Sequence, residues 1–265
     1  MNILVCVKHV PREDELKLDP VTKTLIRSDG PGEISQMDRY ALELGVRIVE
    51  ELGGSVTAVS MGVPAAANSL RYAVSVGAND VYLLSDRPMG GADAYATALT
   101  LAAGVRHLEK EKGQFDLILL GNQASDSSTN LVAPELAEDL GRPHTTNVVD
   151  YRMAGNSIIA KRDTTVGFDS LELPLPAVLS VTKTDFAARY PNIRLKLAAN
   201  KKTVPVLNAA DLGLDPADIG AAGSLTSVGS SFVPEHNKET VIVKEPTVEE
   251  SAAKLADLLS GAGVL

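Results

Sequence analysis

At 265 residues the chain can bury one large core, and its single Cys6 with four scattered histidines excludes a disulfide framework and a multi-thiolate metal centre. Acidic residues outnumber basic ones by 34 to 25, which excludes a broad electrostatic grip on nucleic acid and leaves only local basic patches for phosphate. The opening MNILVCVKHV lacks a small-residue cleavage pattern and no stretch approaches the roughly 18 apolar residues of a membrane span, so a cytoplasmic protein is expected.

Short apolar runs alternate with helical patterns along the first half of the chain: NILVCV, MDRYALELGVRIVEELGG, SVTAVSMG, PAAANSLRYAVSVGA, DVYLLSD, GADAYATALTLAAGVRHLEKEKG, FDLILLGN and STNLVAPELAEDLGRP. Continuous apolar strands joined by helices predict an α/β fold, a doubly wound and mostly parallel sheet with helices on both faces. Leu42, Gly45, Val49 and Leu52 recur at helical spacing on a helix capped by Ser35 or Asp38, and Gly53, Gly113 and Gly141 stand where helices stop. Between the first strand and its helix, PREDELKLDPVTKTLIRSDGPGEISQ is too long for an ordinary loop and reads as a small hairpin of KLDP and TLIR. From His144 onward the pattern becomes an antiparallel extension, VVDYRMAGNSIIAKRDTTVGFDSLELPLPAVLSVTK, with Pro174 and Pro176 at an edge or strand boundary. The remainder is too sparse for a second core and reads as a C-terminal arm ending in the helix EESAAKLADLLSGAG. The expected division is an α/β domain over 1–185 and an extended C-terminal arm over 186–265.

In an open parallel sheet, ligands bind outside the carboxyl ends of the strands. The loops there are Cys6 to His9, Ser60 to Gly62, Ser85 to Asp93 and Gly121 to Asn130. The last, GNQASDSSTN, follows the strand FDLILL and precedes a helix. Its small residues let a ligand approach the backbone, and Ser127, Ser128 and Thr129 crowd the helix start, where free N–H groups favour phosphate. A cap explains one such residue, not the whole run. Asp93 is equally readable as an ordinary N-cap, Cys6 as a small buried hydrophobe, and His9 as a weak candidate at a strand end; His107, His144 and His236 have no partner at catalytic spacing. No G-x-G-x-x-G, P-loop, G-x-S-x-G or SGG-x-DS pattern is present, and no nucleophile with a base declares itself. Such a site binds, or relies on a cofactor for its chemistry.

The residues CVKHVP at 6–11, LKLDPVTKTLIR at 16–27, MDRYALE at 37–43, VSMG at 59–62, SDRPMGGADAYAT at 85–97, LILLGNQASD at 117–126, LPAVLSVTK at 175–183 and RYPNIRLKLAANKK at 189–202 together resemble the β subunit of electron transfer flavoproteins over nearly the whole chain. The resemblance implies a heterodimer with an α subunit that carries FAD and exchanges electrons with an acyl-CoA-type or other flavin dehydrogenase. In the ordinary type the β subunit holds a structural AMP; in the electron-bifurcating type it holds a second FAD that takes hydride from NADH, with ferredoxin or flavodoxin as low-potential acceptor. LDPVTKTLIR and SDR-x-x-GGAD resemble the bifurcating group, so FAD is favoured over AMP, while ISQMD and ASDSS lean toward the branch associated with carnitine metabolism and nitrogen fixation. By the same resemblance the nucleotide contacts Cys6, Lys8, Ser35, Asp38, Met61, Asp93, Thr97 and the loop residues Gly121, Asn122, Gln123, Ala124, Ser125, Asp126, Ser127, Ser128, Thr129 and Asn130. Ser35-Gln36 replaces the usual Asn-Pro, Ala94 a common Thr, and Leu131 and Val132 two polar residues. The basic segment from Asp185 to Lys202 resembles the family's dehydrogenase-docking loop, with Ala187-Ala188 in place of a common Glu-Pro, and the tail GAGVL is expected on the α subunit.

Overall fold

The computed structural model describes residues 1–12, 32–229 and 240–264; the expected hairpin at 16–27 and His236 lie outside them. The described residues fall into two units, Met1–Gly229 and Ser230–Leu265.

The first unit begins with β1 (Asn2–Cys6), the short pair β2 (His9–Val10) and β3 (Glu33–Ile34), then α1 (Gln36–Leu52), β4 (Ser55–Met61), α2 (Ala67–Ser75), β5 (Asp80–Leu84), α3 (Ala94–Lys112), β6 (Leu117–Gly121) and α4 (Val132–Leu140). β7 (His144–Ala154), β8 (Ser157–Thr164), β9 (Gly167–Pro174) and β10 (Ala177–Val181) follow, then α5 (Ile193–Lys201), β11 (Val206–Leu207) and α6 (Gly220–Gly223). One nine-stranded sheet runs in the order β11-β5-β4-β1-β6-β10-β7-β8-β9.

Alternation along the strands supplies both of its faces. Ile3 and Val5 of β1, with Leu117 and Leu119 of β6, join Leu42, Ile48 and Leu70 from α1 and α2 in one core. Leu4 and Cys6, with Ile118 and Leu120, join Leu101, Val105 and Leu136 from α3 and α4 in the other. Strands buried on both sides read as unbroken apolar runs, and the sheet is doubly wound as expected. Gly45 lets α1 press on the sheet: a Cβ there would stand 3.3 Å from Leu119 Cδ1 and Val5 Cγ2.

The expected glycines 53, 113 and 141 do occupy the C-caps of α1, α3 and α4. Two expectations need correction. The antiparallel meander consists of β7, β8 and β9 only. β10 instead inserts parallel between β6 and β7, because its five residues, all buried, fit an interior position and not an edge. Ser35 stands at the N-cap of α1 but neither it nor Asp38 caps the helix by side chain; the Ser35 hydroxyl donates to Gln123 O at 3.4 Å.

In the second unit α7 (Val248–Gly261) starts with a reciprocal capping box of Thr247 and Glu250, and none of its residues is buried. Among the described residues no helix is long and apolar enough to cross a membrane.

Candidate functional site

The strand order reverses about β1, which leads to β4 on one side and has β6 on the other, so the loops leaving β1 and β6 diverge and open a crevice. A cavity of about 1010 Å³ occupies it, lined from the ends of β1, β4, β5 and β6 and from the starts of α3 and α4. This lies at the top of the roughly 300–1,000 Å³ usual for small-molecule sites.

Of the residues anticipated from sequence, Cys6, Lys8, Asp38, Met61, Asp93, Thr97, Gly121, Asn122, Gln123, Ala124, Asp126, Ser127, Thr129 and Asn130 line this cavity. Ser35, Ser125 and Ser128 are not among its lining residues. Ser35 is buried behind the loop that it ties to α1, while Ser125 and Ser128 face outward, exposed.

The loop after β6 is braced from within. Ala124 and Ser127 exchange backbone hydrogen bonds of 3.1 Å each, forming a tight turn with Ser125 and Asp126 at its tip. Lys8 Nζ reaches across from the end of β1 to Asp126 Oδ1 at 2.7 Å and Ser127 Oγ at 3.3 Å. The Asp126 side chain is only 2% exposed. Asn130 then turns the chain at φ 58, a left-handed conformation that asparagine tolerates better than most residues.

The hydroxyls of this loop do not cap the helix that follows. α4 starts at Val132, its N-cap position is held by Leu131, and no side chain bonds to its first turn. Capping therefore fails as an explanation for Ser127, Ser128 and Thr129, and the partial positive charge of the α4 start stays open toward a cavity that Val132 and Ala133 line.

At Asp93 the plainer role prevails. Its Oδ1 accepts the Ala96 N–H at 2.9 Å and caps α3. Its Oδ2 accepts the Thr226 N–H at 2.9 Å and the Thr226 hydroxyl at 3.0 Å, closing the segment after α6 over the cavity. Burial opposes its ionisation, but the hydrogen bonds from Ala96 and Thr226 outweigh it and hold the carboxyl below its ordinary value. Asp93→Ala is expected to cost about 1–2 kcal/mol, chiefly the lost cap, and to free the 224–226 segment to limited proteolysis; unchanged cleavage there would separate the two roles.

The remaining acids of the lining differ in state. Burial pushes the Asp38 carboxyl up to about 7. Glu135, from the first turn of α4, is raised by burial and then by Asp93, and its Oε2 is buried without a hydrogen-bond partner. The Cys6 thiol is pushed far above its ordinary value by burial and by Asp38, so it stays a protonated core thiol. Asn122 Oδ1 is a second buried acceptor without a partner, its amide N–H being given to Asn147 Oδ1 at 3.1 Å.

Sequence reasoning missed the apolar side of the cavity and its closure. Val63 and Tyr95 line it while 47% and 42% exposed, beside Leu131 at 49% and the buried Met89, which the expected loops over 121–132 and 85–93 did contain. Leu225 and Thr226 close it from a segment that carries no local signal. Glu135 was findable, as an acid one turn into the helix after a suspected loop.

Fold and cavity together define a doubly wound α/β protein with a cavity of small-molecule size at the carboxyl edge of its sheet. The chain belongs to the electron transfer flavoprotein family, a family of electron carriers, and to its β subunits: the electron transfer flavoprotein domain matches residues 22–212. It is 39% identical over 266 residues to the electron transfer flavoprotein subunit beta of Thermoanaerobacterium thermosaccharolyticum, with the whole of both chains covered. It is 36% identical to the Caffeyl-CoA reductase-Etf complex subunit CarD of Acetobacterium woodii, covering 98% of each chain. Protein FixA of Azorhizobium caulinodans is 33% identical, over 98% of this chain and 92% of that protein.

Proposed function

We propose that this chain is the β subunit of a heterodimeric electron transfer flavoprotein of the bifurcating kind, with FAD in its own cavity and a second FAD in the α subunit. The observation that carries the choice of FAD over AMP is the cavity itself, about 1010 Å³ with three apolar side chains left exposed at its wall. AMP has fewer than half the non-hydrogen atoms of FAD and offers nothing flat and apolar beyond its adenine; the isoalloxazine ring would cover Val63, Tyr95 and Leu131.

The residues present fit such a ligand. The open start of α4 and Arg87 would hold the pyrophosphate, with the Lys8 ammonium beside them already shared with Asp126. Asn122 Oδ1 would accept from a ligand N–H, relieving an acceptor otherwise buried without one. When bound, the flavin supplies the redox chemistry, accepting electrons from NADH and releasing them toward the α-subunit FAD and a ferredoxin- or flavodoxin-type acceptor. The chain's own part is to bind and orient it and to keep water from the buried side, where Met89 and Leu120 close the floor.

Two surfaces suit protein partners. α5 carries Ile193 and Leu197 exposed at 80% and 62%, flanked by exposed Arg194, Lys196 and Lys201, which suits an acidic dehydrogenase surface. Arg189 and Lys202, counted with them from sequence, are instead neutralised by Glu43, Glu50 and Asp80. α7 exposes Leu255 and Leu258 on its own unit and is assigned to the α subunit.

The test is a cofactor count on the co-expressed heterodimer: denature, separate the released nucleotides and quantify them against protein. Two FAD per heterodimer, bleached by NADH, are expected. One FAD with one AMP would sink the bifurcating reading and establish the conventional one, in which the cavity is a structural clasp; two FAD with no response to NADH would sink the redox assignment alone.

A further inference from the structure

Asp38 is 6% exposed and lines the cavity, and each of its oxygens accepts a hydrogen bond from a backbone amide. Oδ2 accepts the Lys8 N–H at 2.7 Å and Oδ1 accepts the Gly121 N–H at 2.9 Å. Those two amides sit at the carboxyl ends of β1 and β6, the adjacent parallel strands from which the crevice opens. Each begins one arm of the site. The Lys8 side chain runs to Asp126 and Ser127, and Gly121 opens the loop that carries Asn122, Ala124 and Asp126. One carboxylate therefore sets the separation of both arms, with one hydrogen bond on each of its oxygens.

We propose that Asp38 is a positioning residue of the nucleotide site: its ionised carboxylate ties the ends of β1 and β6 together, and nucleotide binding depends on that tie. The proposal rests on the reading of the cavity as a nucleotide site. A neutral carboxyl cannot accept at both oxygens with equal strength, because the oxygen that carries the proton loses its charge and most of its acceptor strength toward the Lys8 or the Gly121 amide. One strand end is then released, and with it one arm.

Protonation makes this tie sensitive to pH. Burial pushes the Asp38 carboxyl up to about 7, against the Lys8 and Gly121 N–H groups and the Lys8 charge, with Asp126 adding to the rise. Of the other acids on the wall, Asp93 is held below its ordinary value, while Glu135 is also raised by burial but is common to the wild type and Asp38→Asn and drops out of any ratio between them. The Cys6 thiol remains protonated, and burial pushes His9 below its ordinary 6.5. The signs of the two consequences are opposite. The unfolded chain loses this proton near 3.8 and the folded protein holds it to about 7, so the group's contribution to stability falls as pH rises through that window. Affinity for nucleotide rises through its upper end. A merely structural Asp38 would move stability alone, so acid loss of binding from this group cannot be acid unfolding.

The test uses the heterodimer with this cavity emptied and the α-subunit flavin retained, titrated calorimetrically with AMP and, separately, FAD across the neutral range. The AMP phosphate itself titrates near pH 6, so affinities are read as the ratio of wild type to Asp38→Asn. That ratio is expected to drop about tenfold between pH 8 and pH 6, the change a single group titrating at about 7 imposes. Asp38→Asn, with one acceptor and one misplaced donor, should bind weakly at every pH. If Asp38→Asn does not fold, the pH dependence of FAD affinity in the wild type decides the matter, since the FAD pyrophosphate carries no group titrating at about 7. A flat ratio, or a wild-type FAD affinity unchanged between pH 8 and pH 6, overturns the positioning role and leaves the cavity reading intact. Binding of neither nucleotide to folded heterodimer at any pH overturns the cavity reading and the proposal together.

Discussion

Gly121→Ala is expected to lower stability by about 3 kcal/mol and to empty the cavity of nucleotide. A Cβ at this position would stand 2.5 Å from Asp38 Oδ1, 2.7 Å from Met37 Cβ and 2.8 Å from Asp38 N. Two of these are fixed parts of the first turn of α1, which no rotamer change can move away, so the helix start must retreat from the end of β6. Overpacking of this kind costs about 1–3 kcal/mol. The retreat also breaks the Gly121 N–H bond to Asp38, a charge-assisted bond worth about 1.5–3 kcal/mol. The two effects overlap because one displacement causes both, which is why their sum is not expected. A thermal melt should show a drop of about 6–12 °C for a chain of this size. Gly141→Ala makes the control: it meets nothing within 4 Å and carries only the strain of a left-handed backbone at φ 63 and ψ 40, about 1–2 kcal/mol. Equal losses in the two variants would refute close packing at Gly121 as the cause.

Much of the core was legible because it is written in short-range pattern. β1, β4, β5 and β6 are apolar runs of strand length, α1 carries its apolar stripe at helical spacing, and each of α1, α3 and α4 stops at a glycine. The cavity loops were legible for the same reason, since strand ends in a parallel sheet are where ligands sit. What escaped depends on partners far along the chain. Asp38 reads as a cap in sequence, and only the fold brings Lys8, 30 residues before it, and Gly121, 83 residues after it, to its two oxygens. α5 escaped for a local reason. Ile193, Leu195 and Leu197 alternate with period two, the spacing of a strand, while the helix that forms is capped by Asn192 and buries little besides Ala199. Its helical state is set by docking on α2, where Asn192 N–H bonds Ser75 O at 3.0 Å, and not by an amphipathic stripe.

The same dependence on distant partners shapes the last expectation, that Glu43→Ala weakens docking of the dehydrogenase partner at least tenfold while leaving nucleotide content unchanged. Glu43 lies on α1, 5% exposed, and accepts from the Arg189 backbone N–H at 3.1 Å, from Arg189 Nε at 2.7 Å and from Arg189 Nη2 at 3.2 Å. Glu50, more exposed, takes the other edge of the same guanidinium at 2.6 and 2.9 Å. Arg189 is thus no steering charge but a clamp that fixes the chain just before Tyr190, which is 92% exposed, and α5. At the far end Lys202 binds Asp80 and the Asn79 carbonyl. A surface held at both ends is already ordered before it meets a partner, and that saves the ordering cost of about 0.5–1.5 kcal/mol for each immobilised side chain. Releasing Arg189 restores that cost for Tyr190, Ile193 and their neighbours, which amounts to the tenfold loss expected at about 1.4 kcal/mol. The Michaelis constant for the partner dehydrogenase is the measurement, with released nucleotide quantified alongside. Glu50→Gln, which removes only the exposed half of the clamp, should do much less. A Michaelis constant unchanged in Glu43→Ala would mean that α5 is ordered without the clamp or is not the docking surface, and tenfold loss in Arg194→Ala alone would tell the first of these from the second.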